Sequence, residues 1–371
     1  MQRVGDMSAP AVRRYLRKAG WDASRARHGI DAYRVVYRTI DVEGEPTVAS
    51  GLAVLPDSHA RRLRVVSYTH GTTSYRQDVA SNFADDFLVP PGLTYASAGF
   101  ASALPDYLGL GKSPGTHPWM HVPSETSATI DMLRATRRLA HRHGRELRSG
   151  AYFTGFSQGA SAALGAARRL ERTERRWFRP AAVAPISGAY DMADVEMPAM
   201  LRGQLDQKMT VAYGTYFLVA WNRLHDLYDK PSDVFKQPYA GRAERLFDGS
   251  TPGGEMLASL PDTLDELLTA RGRRLLEDPT PKLERALRVA DSVCKNWKPA
   301  HPMRLYAARN DEQAATANTF SCQKSLRSAG AHVPVELLGK PSYAGSRHLG
   351  TNVAGTSAVT RWFLRMTPRH G

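Results

Sequence analysis

The sequence predicts an α/β fold: a mostly parallel sheet, opened by an antiparallel hairpin, with an inserted helical cap. Three observations carry this. Tyr33 to Asp41 and Thr47 to Leu55 are alternating or apolar runs separated by a short polar segment with Gly44 and Pro46, which reads as a hairpin. After it, short apolar runs and helix-like stretches alternate, the pattern of a parallel sheet covered by helices on both faces. Between about Asp191 and Pro299 the alternation stops and no strand period is visible. The expected organisation is an N-terminal helical arm over residues 1–30, a core over 31–190 and 300–371, and a helical cap or lid over 191–299.

The elements follow in order. Leu63 to Thr69 is a strand ending at His70-Gly-Thr-Thr73, and Phe100 to Leu104 is another, ending at Pro105-Asp-Tyr107. Ser124 is the expected N-cap of a helix running to about His143, with Ala128, Met132, Ala135 and Leu139 on one stripe. Ala151 to Thr154 is a buried strand leading into a small-residue helix. Ala181 to Ile186 and Met303 to Ala308 are further strands, the second ending at Asn310-Asp311. A helix is expected from about Ala314 to Ala329, then a strand from Val333 to Leu338, a glycine-containing loop carrying His348, and a terminal helix. The inserted stretch carries many large apolar side chains, among them Met192, Met197, Tyr213, Phe217 and Trp221.

Composition narrows the class. The 371 residues are 42% hydrophobic and 23% charged, as in water-soluble globular chains, and no apolar run approaches the roughly 20 residues that span a bilayer. The first 31 residues are basic and polar without an apolar core, so no signal peptide is expected within them. The default compartment is therefore cytoplasmic, and secretion stays open if a leader lies upstream or was removed. The formal net charge is +14, but the arginines are dispersed in short runs such as Arg13-Arg14, Arg61-Arg62, Arg175-Arg176 and Arg271-Gly-Arg-Arg274. No nucleic-acid-binding motif accompanies them, so solvated faces are expected rather than a nucleic-acid partner. Cys294 and Cys322 flank a predicted strand; a disulfide and two buried thiols both fit that spacing.

Gly155-Phe-Ser-Gln-Gly159 falls where a strand must turn sharply into a helix, and it reads G-x-S-x-G. A serine on such a turn has its hydroxyl pushed into the open, and glycines two residues to either side allow the crowded crossing. A serine hydroxyl needs a base, histidine suits neutral pH, and a carboxylate must fix the imidazole. Ser157, Asp311 and His348 occur in the chain order of such sites, each just after a predicted strand, where functional residues gather in open α/β sheets. Asp191 competes for the acid but is better read as a helix cap where the insertion begins. Glu312 should point away from its neighbour Asp311. His332 and His301 precede strands and so stand at the wrong end of the sheet.

An oxyanion needs backbone donors placed in advance. The Gln158 amide and a second from Thr72, with Gly71 and Thr73 as neighbours, are the expected pair. His70 is read as a structural brace for that loop. His117 and His121 are four apart, but Pro118 and the lack of an adjacent carboxylate or thiolate argue for loop packing over a metal site. Tyr75, Asp106, Tyr107 and Trp119 are assigned to the substrate pocket. No cofactor is required.

With these residues assembled, the chain resembles the secretory lipase family of α/β-hydrolases that includes the Candida antarctica lipase A type. The resemblance rests on Ser-Tyr-Thr-His-Gly-Thr (67–72), Leu-Pro-Asp-Tyr-Leu-Gly-Leu-Gly-Lys-Ser-Pro-Gly-Thr-His-Pro (104–118), Gly-Phe-Ser-Gln-Gly (155–159) and Asn-Trp-Lys-Pro-Ala-His-Pro (296–302). It implies the α/β-hydrolase fold, ester hydrolysis under a helical cap, Ser157, Asp311 and His348 as the triad, and Asp106 and Tyr107 as residues shaping the loop beside the site. Glu312-Gln-Ala-Ala315 departs from the apolar-proline pair expected after the acid, and no acidic residue directly precedes His348.

The sequence therefore points to a serine carboxylic-ester hydrolase acting through an acyl-enzyme on a small-molecule or lipid ester, with transient contact to a lipid surface compatible with that activity. A peptidase, an acyltransferase or a cyclase would use the same triad, and a non-catalytic binding protein could keep the same fold. Oligomeric state is not encoded in these motifs.

Overall fold

A computed structural model describes residues 1–173 and 177–366. Nine strands form one sheet: β1 (Gln2–Met7), β2 (Gly29–Ile40), β3 (Pro46–Asp57), β4 (Arg62–Thr69), β5 (Phe100–Pro105), β6 (Glu146–Phe156), β7 (Arg179–Ile186), β8 (Leu305–Ala307) and β9 (Val335–Leu337), in the order β1-β2-β3-β5-β4-β6-β7-β8-β9. The first four neighbours pair antiparallel, and from β5 to β9 every pairing is parallel. The apolar run of β4 and the Ala151–Phe156 half of β6 are buried on both faces, as central parallel strands require.

Helices cover both faces. α1 (Ala9–Lys18) and α2 (Pro90–Ser97) lie on one, while α3 (Val122–Arg142) and α4 (Gln158–Thr173) lie on the other, joined by α13 (Thr316–Ser328); α14 (Arg347–Arg365) returns to the first. Alternation along β2 sends Tyr33, Val35 and Tyr37 into one core and Ile30 and Ala32 into the other. Between β7 and β8 the chain adds a five-residue π-turn (Met192–Glu196), then α5 (Met197–Leu201), α6 (Gln207–His225), α7 (Pro231–Val234), α8 (Ala243–Leu246), α9 (Gly253–Ala258), α10 (Leu264–Leu267), α11 (Ala270–Glu277) and α12 (Pro281–Ala290). These elements share a third core built around Phe217, Trp221, Phe235, Leu267 and Leu283.

Several expectations are corrected. Residues 1–30 are not simply a helical arm: Gln2–Met7 is a strand paired with β2, and only Ala9–Lys18 is helical. This six-residue segment has no strong strand pattern of its own; the exposed edge of β2 supplies the backbone partners that order it. Ser124 is not the N-cap of α3. The cap position is His121, three residues earlier, with Pro123 preorganised for the first turn, and Ser124 Oγ donates to His121 O. His348 stands on the first turn of α14 rather than in a loop.

Arg61, Arg62 and Arg14 are exposed, whereas Arg13 and Arg168 donate to the backbone carbonyls of Ala26 and Ser292; Arg175-Arg176 lies outside the described residues. No helix among the described residues is long and apolar enough to cross a membrane.

Cys294 and Cys322 form a disulfide, with Cα atoms 5.2 Å apart, that links the end of the insertion to α13. Its 28-residue separation makes the bond a substantial constraint on the unfolded chain. Replacing both cysteines with serine is expected to lower the unfolding free energy by about 3 kcal/mol, read as a lower urea midpoint under non-reducing conditions.

Candidate active site

β6 runs into α4 with a single residue, Ser157, at the corner, and its φ is +56°, left-handed and unfavourable for a residue with a side chain. The glycines on either side are dictated by contact. A Cβ on Gly155 would stand 2.1 Å from Thr69 Oγ1 and 2.2 Å from Gly159 O; one on Gly159 would stand 2.1 Å from Thr69 O. The end of β4 thus presses on both flanks of the corner. Thr69 Oγ1 fastens the crossing by donating to Gly159 O at 2.6 Å.

Three side chains from distant parts of the sequence meet here. Ser157 Oγ lies 2.9 Å from His348 Nε2, and His348 Nδ1 lies 2.9 Å from both Asp311 oxygens. The tautomer with its proton on Nδ1 satisfies both contacts, leaving Nε2 to accept from the serine. Asp311 also accepts from the backbone amides of Gln313 and Ala314, each at 3.0 Å. Burial pushes the Asp311 carboxyl up, but the adjacent His348 and these amides outweigh it and hold the group below the ordinary carboxylate range.

Glu312 does not point away, as its position next to Asp311 suggested. Its carboxylate accepts from His348 N at 3.1 Å and from Ser346 Oγ, the N-cap of α14. Adjacent carboxylates therefore hold the same histidine, one by its ring and the other by its backbone. The signal was present in the sequence as a serine two residues before His348, an N-cap residue whose first-turn amides need an acceptor. Asp191 takes no part: Ser321 Oγ donates to it, and Asp291 caps the π-turn by accepting from Met192 N and Ala193 N. His332 is exposed ahead of β9, and His301 lies by Glu171.

Two residues with free backbone donors lie beside the serine. The amides of Thr72 and Gln158 donate to no other group among the described residues, and both residues line the same pocket as Ser157. Gly71 lets the loop pass close to the corner, since a Cβ there would be 2.9 Å from the Phe156 ring and 3.3 Å from Ser157 Cβ. Trp119 Nε1 donates to Thr72 Oγ1 at 2.9 Å and so fixes that loop.

The Gln158 side chain was not singled out from the sequence, yet it is anchored deep in the core. Its Nε2 donates to His117 Nε2 at 2.8 Å and to Glu125 Oε1 at 2.7 Å, while His117 Nδ1 donates to Leu108 O at 2.9 Å. Burial keeps His117 neutral, its pKa lowered to about 3, and pushes Glu125 up to about 8. His117 therefore works as a buried hydrogen-bond relay, and His121 contacts Ser124 Oγ.

The pocket over Ser157 encloses about 600 Å3 of empty space, including its open mouth. Trp119, Met192, Met197, Tyr213, Phe217 and Leu276 give it an apolar wall, drawn mostly from the insertion. Trp119 stacks on Tyr213 and Tyr216 with nearly parallel rings, joining that wall to the Thr72 loop. The assignment of Tyr75, Asp106 and Tyr107 to the pocket is corrected, for none of them lines it. Asp106 is buried behind the loop, accepting from Ser50 Oγ at 2.6 Å and Ser81 N at 3.3 Å. Tyr107 donates to His70 O at 3.0 Å, and the His70 ring contacts Gly71 O and Asp106 O. These residues shape the loop; they do not face a ligand.

Comparison with protein-family models and with curated proteins finds no match to this sequence. Solved structures do match. A Legionella pneumophila protein superposes with a TM-score of 0.89 at 22% identity, over 100% of this chain and 98% of its own. The rice cell wall degrading esterase LipA from Xanthomonas oryzae superposes at 0.84 and 24% identity, over 98% of this chain and 95% of its own. Candida antarctica lipase A in its closed state superposes at 0.64 and 13% identity, over 100% and 83%. The fold is that of the α/β-hydrolases.

The buried Glu125 carboxyl carries a testable consequence. Its folded-state pKa lies above that of an unfolded glutamate, so the native chain holds a proton that the unfolded chain releases. Stability must then decline as pH rises from the ordinary glutamate range through about 8. Glu125→Gln removes this dependence. The variant is expected to gain stability relative to the wild type between pH 5 and pH 9, and parallel urea midpoints across that range would contradict the assignment.

Proposed function

We propose that this protein is a serine carboxylic-ester hydrolase that works through an acyl-enzyme. The carrying observation is the Ser157–His348–Asp311 chain of contacts opening into an apolar pocket beside two amides that have no partner among the described residues. The esterase and lipase named among its structural neighbours support the same reading at the level of fold.

In the first step His348 Nε2 removes the proton from Ser157 Oγ as the oxygen attacks the ester carbonyl. The amides of Gln158 and Thr72 receive the negative charge that develops on the carbonyl oxygen. Asp311 keeps the imidazole in the required tautomer and stabilises it once it is doubly protonated. His348 then gives its proton to the departing alkoxide, leaving an ester on Ser157. Water enters, gives a proton to His348 and attacks the acyl carbon, and breakdown of the second tetrahedral species returns the proton to Ser157 and releases the acid.

The insertion acts as a cap in this reading, its Met192, Met197, Phe217 and Leu276 side chains receiving the acyl chain. Burial of acyl methylenes there contributes about 0.8 kcal/mol each. A water-insoluble ester presented at a lipid surface fits the same pocket.

A fluorophosphonate probe is expected to label the wild type and to leave Ser157→Ala unlabelled. Asp311→Asn should reduce kcat by roughly 10³–10⁴-fold with little change in fold, measured on p-nitrophenyl esters of increasing acyl length. Cleavage of peptide amides without turnover of any ester would overturn the assignment to ester hydrolysis.

A further inference from the structure

Among the described residues, Glu196 is the one acidic side chain in the wall of the pocket above Ser157. It closes the π-turn at the start of the insertion and is only 4% exposed. Both of its hydrogen bonds, from Ala315 N at 3.0 Å and from Asn318 Nδ2, go to Oε2. Among the described residues Oε1 has no donor. A carboxylate oxygen in a largely apolar enclosure is costly unless something donates to it, and the remaining lining here is chiefly methionine, leucine and aromatic rings, with Thr72, Ser157, Gln158 and Gln313 as its other polar members.

The local charge says what kind of group that is. Burial pushes the Glu196 carboxyl up to about 7, and the nearby Asp311 adds to the rise while His348 opposes it. An anionic ligand group would meet the Glu196 carboxylate, with the charge of Asp311 behind it. A plain alkyl chain would leave Oε1 unpaired. A hydroxyl or ammonium would satisfy it.

We propose that Glu196 is a specificity-determining residue that accepts a hydrogen bond from a donor group on the acyl chain, so that the preferred substrates are hydroxyacyl or aminoacyl esters rather than unsubstituted alkanoates. This rests on the ester-hydrolase reading above. Oε2 anchors the turn that follows Asp311, while Oε1 reads the substrate.

The test is the ratio of kcat/KM values at pH 8 for ethyl hexanoates bearing a hydroxyl at carbon 2, 3 or 6, their amino counterparts, and unsubstituted ethyl hexanoate. The hydroxyl and amino arms separate the two sources of the donor. In the wild type at least one substituted ester should exceed ethyl hexanoate tenfold or more, the scale of one hydrogen bond to a charged group. In Glu196→Gln the amide oxygen can take the two donors now on Oε2, turning an NH2 toward the pocket, so the preference should fall to parity or reverse. Glu196→Asp, which withdraws the carboxylate by one methylene, should weaken it.

A residue that only braced the Asp311 turn would lower every ester alike and leave the ratio unchanged in both variants, and that result overturns the proposal. So does a wild type with no preference, whatever the variants do. Fluorophosphonate labelling of Ser157 reports that each variant retains a formed site. No turnover of any ester by the wild type overturns the hydrolase reading, and this inference with it.

Discussion

The contact on which the rest of the site depends is the crossing of β4 over the corner between β6 and α4. Thr69 lies against Gly155 on one side and Gly159 on the other, with backbone and hydroxyl atoms about 2 Å from where side chains would begin. Only glycine fits at either point. The crossing holds Ser157 in its left-handed conformation and aims the first turn of α4 at the same space as the serine hydroxyl. The strain in one residue is offset by the parallel pairing of β4, β6 and β7, buried on both faces around it. From this corner Gln158 follows directly, and the loop leaving Thr69 brings Thr72 to the same pocket.

Around that fixed centre the polar groups are arranged in layers. Asp311 and Glu312, adjacent in sequence, address the ring and the backbone of His348, so orientation of the imidazole is set from two directions. Behind the serine, Gln158 is tied to His117 and Glu125, and Tyr107 and Asp106 brace the Thr72 loop. Of these groups, His117, Glu125, Tyr107 and Asp106 stand behind the pocket lining, to which Gln158 belongs. The pocket wall comes instead from the insertion, whose own core is distinct from the two cores of the sheet and is joined to the site through the stack of Trp119 on Tyr213 and Tyr216.

Much of the architecture is legible in the sequence. Strand runs from Tyr33 onward lie where periodicity placed them, because hydrophobic alternation and continuous apolar runs are local signals. Failures came where order depends on a distant partner. Gln2–Met7 becomes a strand because β2 offers an edge. His348 enters a helix because Glu312 and Ser346 satisfy its first turn, although the glycines around it suggested a loop. Asp106 and Tyr107 stood out as a distinctive tract but were given the wrong surface, since a motif does not say which way its side chains face. Two cysteines at a compatible spacing left disulfide and free thiols equally open until the folded backbone brought their Cα atoms within 5.2 Å.

The sequence by itself determined the alternating α/β order, the break at the insertion, and a serine at a strand-to-helix corner followed by an acid and a histidine. These are properties of residue type and spacing along the chain. Only the tertiary structure decided that Ser157, Asp311 and His348 come within hydrogen-bonding distance, that Glu312 and Glu125 act behind them, and that Glu196 stands in the pocket wall. Those facts depend on which buried polar groups meet across the fold, as Glu196 meets Ala315 and Asn318 from more than a hundred residues away in the sequence.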